Sequence, residues 1–90
     1  MNFNDIAVFV DLYESSSISA AARKRGLTQP AITQKLQKLE LDFGVSLFDR
    51  SQKGLSPTNN AQNLIETARA IVQTQNRFIT LCGKLKAGKK

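Results

Sequence analysis

Five cations and no carboxylate lie between Ser15 and Leu39: Arg23, Lys24, Arg25, Lys35 and Lys38. A stretch without carboxylates is what a polyphosphate needs from a surface, because each nearby carboxylate repels it while lysine and arginine attract it. Inside the same window, Thr28-Gln29-Pro30-Ala31-Ile32-Thr33-Gln34 offers side chains of a second kind. A glutamine amide can bond an adenine edge through two hydrogen bonds, a threonine hydroxyl can donate or accept, and alanine or proline can touch a thymine methyl. Charge clustering alone favours a solvated helix face, so the elements that carry these residues have to decide between the two readings.

Most other chemistry is excluded by what the chain lacks. It has no histidine, which rules out a Ser-His-Asp triad, a Cys-His pair and a histidine-ligated metal. Its one cysteine, Cys82, can form neither an internal disulfide nor a cysteine cluster. No glycine-rich phosphate loop is present. The expectation is therefore a protein that is not an enzyme, with no catalytic residue, metal or cofactor and no small molecule bound by this segment. Ninety residues, of which 41% are hydrophobic, suit one small domain. No run of about 18 apolar residues could span a membrane. The start Met1-Asn2-Phe3-Asn4-Asp5 lacks the basic and apolar regions of a secretory signal. With a lone thiol, this points to a cytoplasmic location.

The net charge of +6 is uneven. Residues 1–50 hold six basic and six acidic groups, whereas residues 51–90 hold seven basic groups and only Glu66. Four of those seven (Lys84, Lys86, Lys89 and Lys90) fall in the last seven residues.

Apolar spacing sets the elements. Phe3, Ile6, Phe9, Val10 and Tyr13 mark one face of a first helix, capped by Asn2 or Asn4 and ended by Ser15-Ser16-Ser17. A second helix runs from Ile18 to Arg25, with Ser17 as its cap and Gly26 as its stop. A third opens at Thr28 with Pro30 in its first turn, buries Ile32, Leu36, Leu39 and Phe43, and ends at Gly44. Val45–Arg50 and Leu55-Ser56 flank a polar turn and read as a small hairpin. Thr58 caps the longest helix, whose apolar positions Ala61, Leu64, Ala68, Ile71, Phe78 and Cys82 are joined by a second stripe of Ile65, Val72 and Ile79. Such a face runs for about 22 residues, roughly 33 Å. A core of this size cannot cover it all, so part should face another chain. Gly83 is expected to stop this helix.

These elements divide the chain into a unit over residues 1–57, a linker or dimerisation helix over 58–83 and a basic, flexible tail over 84–90, and the motifs of the first unit make it the expected winged helix-turn-helix DNA-binding domain. Two helices joined by a tight glycine turn form a helix-turn-helix. Here Ala22 lets the helices approach, Gly26 permits the corner and Ile32 wedges the second helix on the first. Ala21-Ala22, Leu27-Thr28-Gln29-Pro30-Ala31-Ile32-Thr33, Leu39-Glu40 and Gly44-Val45-x-Leu47-Phe48-x-Arg50, taken in order, resemble the N-terminal DNA-binding domain of LysR-type transcriptional regulators. The resemblance covers about residues 2–82. It implies a mainly α winged helix-turn-helix, with a three-helix core, a two-stranded β wing and a long helix that pairs with its mate. It also implies a separate effector domain that these 90 residues do not hold, so the chain looks like a truncated or excised module of a bacterial regulator. Family members often carry Ser then Arg where this chain has Thr33 and Gln34, which removes a guanine reader and leaves an adenine reader. Arg25 stands in place of the usual apolar residue and must snorkel or pair. Ala61 stands where Gly is common.

Placed on this scaffold, Gln29, Thr33 and Gln34 are expected at base edges, with Pro30 and Ala31 against thymine methyls. Ser17, Ser19, Thr28, Lys35 and Lys38 are expected at phosphates, and Arg50 and Lys53, which flank the hairpin tip, are expected at phosphate or an adjacent minor groove. For Ser17 a pure capping role is at least as good a reading, and Arg50 has a second reading as the partner of Asp49 or Glu40. Leu64, Ile65, Ala68, Ile71, Val72, Phe78 and Ile79 are expected to form core and dimer seam. Two functions compete. One is sequence-specific binding of double-stranded DNA by a homodimer, or by a higher oligomer in a longer protein, to regulate transcription. The other is a protein-interaction module that pairs through its long apolar helix.

Overall fold

The computed structural model describes residues 2–51 and 54–88. Three helices come first: α1 over Phe3–Ser15, α2 over Ile18–Arg25 and α3 over Gln29–Phe43. A hairpin of β1 (Phe48–Ser51) and β2 (Gly54–Pro57) follows, and α4 (Asn59–Gly88) closes the described chain. The hairpin is antiparallel and pairs Phe48 with Pro57 and Ser51 with Gly54. The fold is the mainly α winged helix-turn-helix with a long following helix that the motifs imply.

The helix boundaries are set by local capping chemistry. Asn2 and Asp5 form a reciprocal box at the start of α1: the Asn2 Oδ1 accepts from the Asp5 amide at 3.1 Å, and the Asp5 Oδ2 accepts from the Asn2 amide at 3.3 Å. The Ser17 Oγ accepts from the Ala20 amide at 3.0 Å and the Thr28 Oγ1 from the Ala31 amide at 3.2 Å. Gly26 and Gly44 end α2 and α3 at φ of 66° and 73°, where a side chain would be strained. Thr58 works in two directions. Its hydroxyl accepts from the Ala61 amide and donates to the Ser46 carbonyl at 2.7 Å, which ties the base of α4 to the approach of the wing.

The core draws on every element. Val8, Phe9 and Leu12 of α1, Ala21 and Ala22 of α2, and Ile32, Leu36 and Leu39 of α3 are buried with Leu47, Phe48 and Leu55 of the wing region. The Phe9 ring lies 5.9 Å from that of Phe48. Burying such side chains contributes about 1.5–3 kcal/mol each.

Four expectations are corrected. Ile65 and Ala68, assigned to a dimer seam, are buried at 4% and 6% exposure inside the monomer core with Ala61. Their side of α4 faces α1, so the unit 1–57 does not close its own core. Secondly, α4 does not stop at Gly83 but runs to Gly88, taking in Lys84–Gly88 of the expected flexible tail. A helical glycine costs only about 1 kcal/mol, and Leu81, Lys84, Leu85, Lys86 and Ala87 around it are good helix formers. Thirdly, Phe3, read as part of the apolar face of α1, is its first residue and stands exposed at 57%. Finally, the second strand is longer than Leu55-Ser56, since Gly54 and Pro57 join the ladder at its two ends, where an edge proline costs no hydrogen bond.

At 30 residues, α4 is about 45 Å long. Only its first half has a body to lie on, and the molecule measures 55 × 26 × 20 Å.

Candidate nucleic-acid interface

The start of α2, the start of α3 and the wing meet around one concavity of about 540 Å³. Ser17, Ser19, Gln29 and Arg50 line it, together with Ser16, Ser51 and Gly54. Two helix N-termini facing one hollow put unpaired backbone N–H groups and the positive ends of two helix dipoles on the same side. The Ser17 and Thr28 hydroxyls accept backbone amides, so each keeps its own proton to donate outward. Capping and an outward contact are compatible at both residues.

On α3, Ile32, Leu36 and Leu39 point inward and are essentially fully buried. Gln29, Pro30, Gln34 and Lys38 are exposed, and Ala31 and Thr33 are half-buried. All five expected base-edge residues and Lys38 are thus at least partly accessible, with Gln29 and Lys38, nine residues apart, on opposite sides of the helix axis. Arg50 is exposed and has no ion-pair partner among the described residues. The carboxylate of Glu40 is occupied otherwise, accepting from the Leu47 amide at 2.6 Å, the Phe48 amide at 3.3 Å and the Ser46 hydroxyl at 3.4 Å. A pairing of Arg50 with Glu40 or Asp49 is not what the structure holds. Lys53 lies outside the described residues.

The basic window is free of acid in sequence but not in space. Lys35, expected at a phosphate, turns inward, with its Nζ 3.5 Å from the Oδ1 of Asp5, whose side chain is only 5% exposed. Arg25 and Lys24 meet the equally buried Asp11 at 2.6 Å and 2.9 Å. A carboxylate taken out of water needs a cation, and the cations nearest these two are the ones withdrawn. Arg25 resolves its expected need for a partner in this way. Of the five cations in the window, Arg23 and Lys38 have no carboxylate partner among the described residues.

Sequence reasoning did not single out Ser16, Ser51 or Gly54 for the concavity. Gly54 is there because a Cβ would sit 3.3 Å from the Ser16 carbonyl, at a φ of 106° that disfavours any side chain. Its glycine identity was the available signal. Asp5 was legible as a favourable first-turn acid, but its pairing with a residue thirty positions away was not.

The expected seam residues divide. Leu64, Phe78 and Ile79 are exposed, whereas Ile71 and Val72 are half-buried against the core. Phe3, Ala70, Ile71, Thr74 and Phe78 border an apolar furrow of about 530 Å³ along α4. Cys82 is exposed farther along, and no group of three metal-binding side chains occurs among the described residues.

Comparison with known proteins is consistent across sequence and structure. Residues 3–62 match the family described as bacterial regulatory helix-turn-helix protein, lysR family. The chain is 35% identical over 77 residues to the HTH-type transcriptional regulator TcbR of Pseudomonas sp. (strain P51), covering 86% of this chain and 26% of that one. It is 38% identical over 72 residues to ClcR of Pseudomonas putida, another HTH-type transcriptional regulator, covering 80% and 24%. The chain thus spans about a quarter of the length of these relatives, which are regulators rather than enzymes. The structure matches that of a CbnR_DBD–DNA complex with a TM-score of 0.85 and 31% identity, covering 96% of this chain and 99% of that one.

Proposed function

Because the chain belongs to the lysR family of bacterial regulatory helix-turn-helix proteins, we propose that it binds particular sequences of double-stranded DNA as a homodimer and regulates transcription. The observation that carries this reading is the accessible part of α3, where Gln29, Pro30 and Gln34 are exposed and Gln29 borders a concavity also lined by Arg50, which has no ion-pair partner among the described residues. In the arrangement proposed, α3 enters the major groove and sets Gln29, Pro30, Ala31, Thr33 and Gln34 against base edges. Ser17, Ser19 and Thr28 donate to phosphates from the starts of α2 and α3, with Lys38 and Arg50 adding charge. Lys35 adds to the local potential but is held by Asp5. The exposed part of α4 lies against the same helix of a second copy and fixes the separation of the two α3 helices. The proposed place of action is the cytoplasm; among the described residues no helix is long and apolar enough to cross a membrane.

Titration of labelled duplexes at several salt concentrations tests this. The expected result is a steep loss of affinity with salt together with preference for an interrupted palindrome. Equal affinity for all sequences would remove base reading, and no retention of DNA would remove the proposal. The second reading, a module that captures a different protein, is favoured by the uncovered apolar half of α4. Partner capture without DNA retention would establish it instead.

A further inference from the structure

We infer that the base pairs met by the first two turns of α3 are A·T pairs and that Gln34 is the residue that selects adenine there. This rests on the DNA-binding reading above and specifies its ligand. A guanine edge in the major groove shows two acceptors, O6 and N7, and is read by a cation, arginine or lysine. An adenine edge shows one acceptor and one donor, which matches the carbonyl and NH₂ of a glutamine amide. The accessible side of the first two turns carries no free cation. It holds Gln29, Pro30 and Gln34, with Ala31 and Thr33 half-buried at the margin. The one cation in this stretch is Lys35, whose ammonium is drawn back 3.5 Å from the buried Asp5 carboxylate on α1. Lys38 comes a turn farther along, about 6 Å beyond Gln34 along the helix axis. The amides of Gln29 and Gln34 are exposed and have no hydrogen-bond partner among the described residues. The remaining contacts available are methyl and methylene groups of Pro30, Ala31 and Thr33, which suit the thymine C5-methyl. Gln34 is the better placed of the two amides to discriminate, since it is rooted within the helix, whereas Gln29 is its first residue and borders the concavity.

Selection of duplexes from a random pool, repeated with the wild-type chain, Gln34→Ala and Gln34→Arg, tests the inference. Both substitutions are at an exposed position, and matching thermal melts confirm that all three proteins are folded. The expected outcome is one adenine per half-site in the wild-type selection. Its preference over the other bases should fall roughly tenfold or more in Gln34→Ala and change to guanine in Gln34→Arg. A guanine or cytosine at the position that Gln34→Ala relaxes would overturn the inference alone, leaving DNA binding intact. So would an unchanged selection with Gln34→Ala, or a Gln34→Arg protein that keeps the wild-type base. Failure of the wild-type chain to retain any duplex would overturn the DNA-binding reading and this inference together.

Discussion

Asp11 is buried on α1 and receives Arg25 on one carboxylate oxygen and Lys24 on the other. It thereby decides how much of the charge in the helix-turn-helix is available to anything outside. Replacing it by alanine has two opposed effects. The fold loses a buried acceptor and leaves Arg25, itself only 31% exposed, without a partner, a cost of about 1–3 kcal/mol. For a domain of this size that lowers the melting temperature by roughly 4–8 °C for each kcal/mol. Two cations are freed at the same time, so affinity for DNA of random sequence should rise at low salt. Calorimetry and a binding titration on Asp11→Ala check the two directions separately. The residue scale also shows what a sequence hides. Caps such as Asn2, Ser17, Thr28 and Thr58 were legible because a cap acts within three residues of itself. The pairs Asp5–Lys35 and Asp11–Arg25 span 30 and 14 positions and depend on how helices cross. No spacing rule reaches that far.

Among the elements, α4 divides into a part that belongs to the core and a part that does not. The apolar periodicity of its sequence is continuous and gives no sign of the division, because core and seam call for the same residue types. Ile65 and Ala68 lie within the first half, and the body beneath them is what makes them core. The two parts should respond differently to substitution. Ile65→Ala should lower the stability of the chain by about 2–5 kcal/mol, read by denaturant unfolding. The double change Phe78→Glu with Ile79→Glu should leave the fold intact, since these residues are 67% and 59% exposed, and should shift the sedimentation coefficient to that of a monomer. A dimer that survives the double change would count against the proposed seam. Ile71 is less informative, because it is half-buried against the core and a charge there would disturb both. The third helix was the most legible element. Thr28, Pro30 and Gly44 mark its ends, and the inward series Ile32, Leu36 and Leu39 leaves only one face for outside contacts.

For the whole molecule, the formal charge of +6 overstates what a duplex would meet. Lys24, Arg25 and Lys35 are spent on buried carboxylates, and Arg69 is shared between Glu14 at 3.3 Å and Glu66 at 2.9 Å. Lys84 and Lys86 are carried toward the far end of α4. The cations left near the concavity are few, so each should be visible in the salt dependence. Lys38→Ala is expected to weaken binding to all sequences alike and to reduce the slope of log affinity against log salt by about 1. A loss confined to one operator would instead place Lys38 at a base.

The outer half of α4, some fifteen residues with Phe78, Ile79, Leu81 and Leu85 open to water, has nothing of its own chain to rest on. Helices of that length are marginal in water by themselves. In the proposed dimer, order in this rod follows mass action. On dilution its last turns should unwind first and exchange their amide protons for deuterium within seconds, while α3 stays protected. The distance held between two reading heads would then be a property of the cell's supply of the protein as much as of the fold.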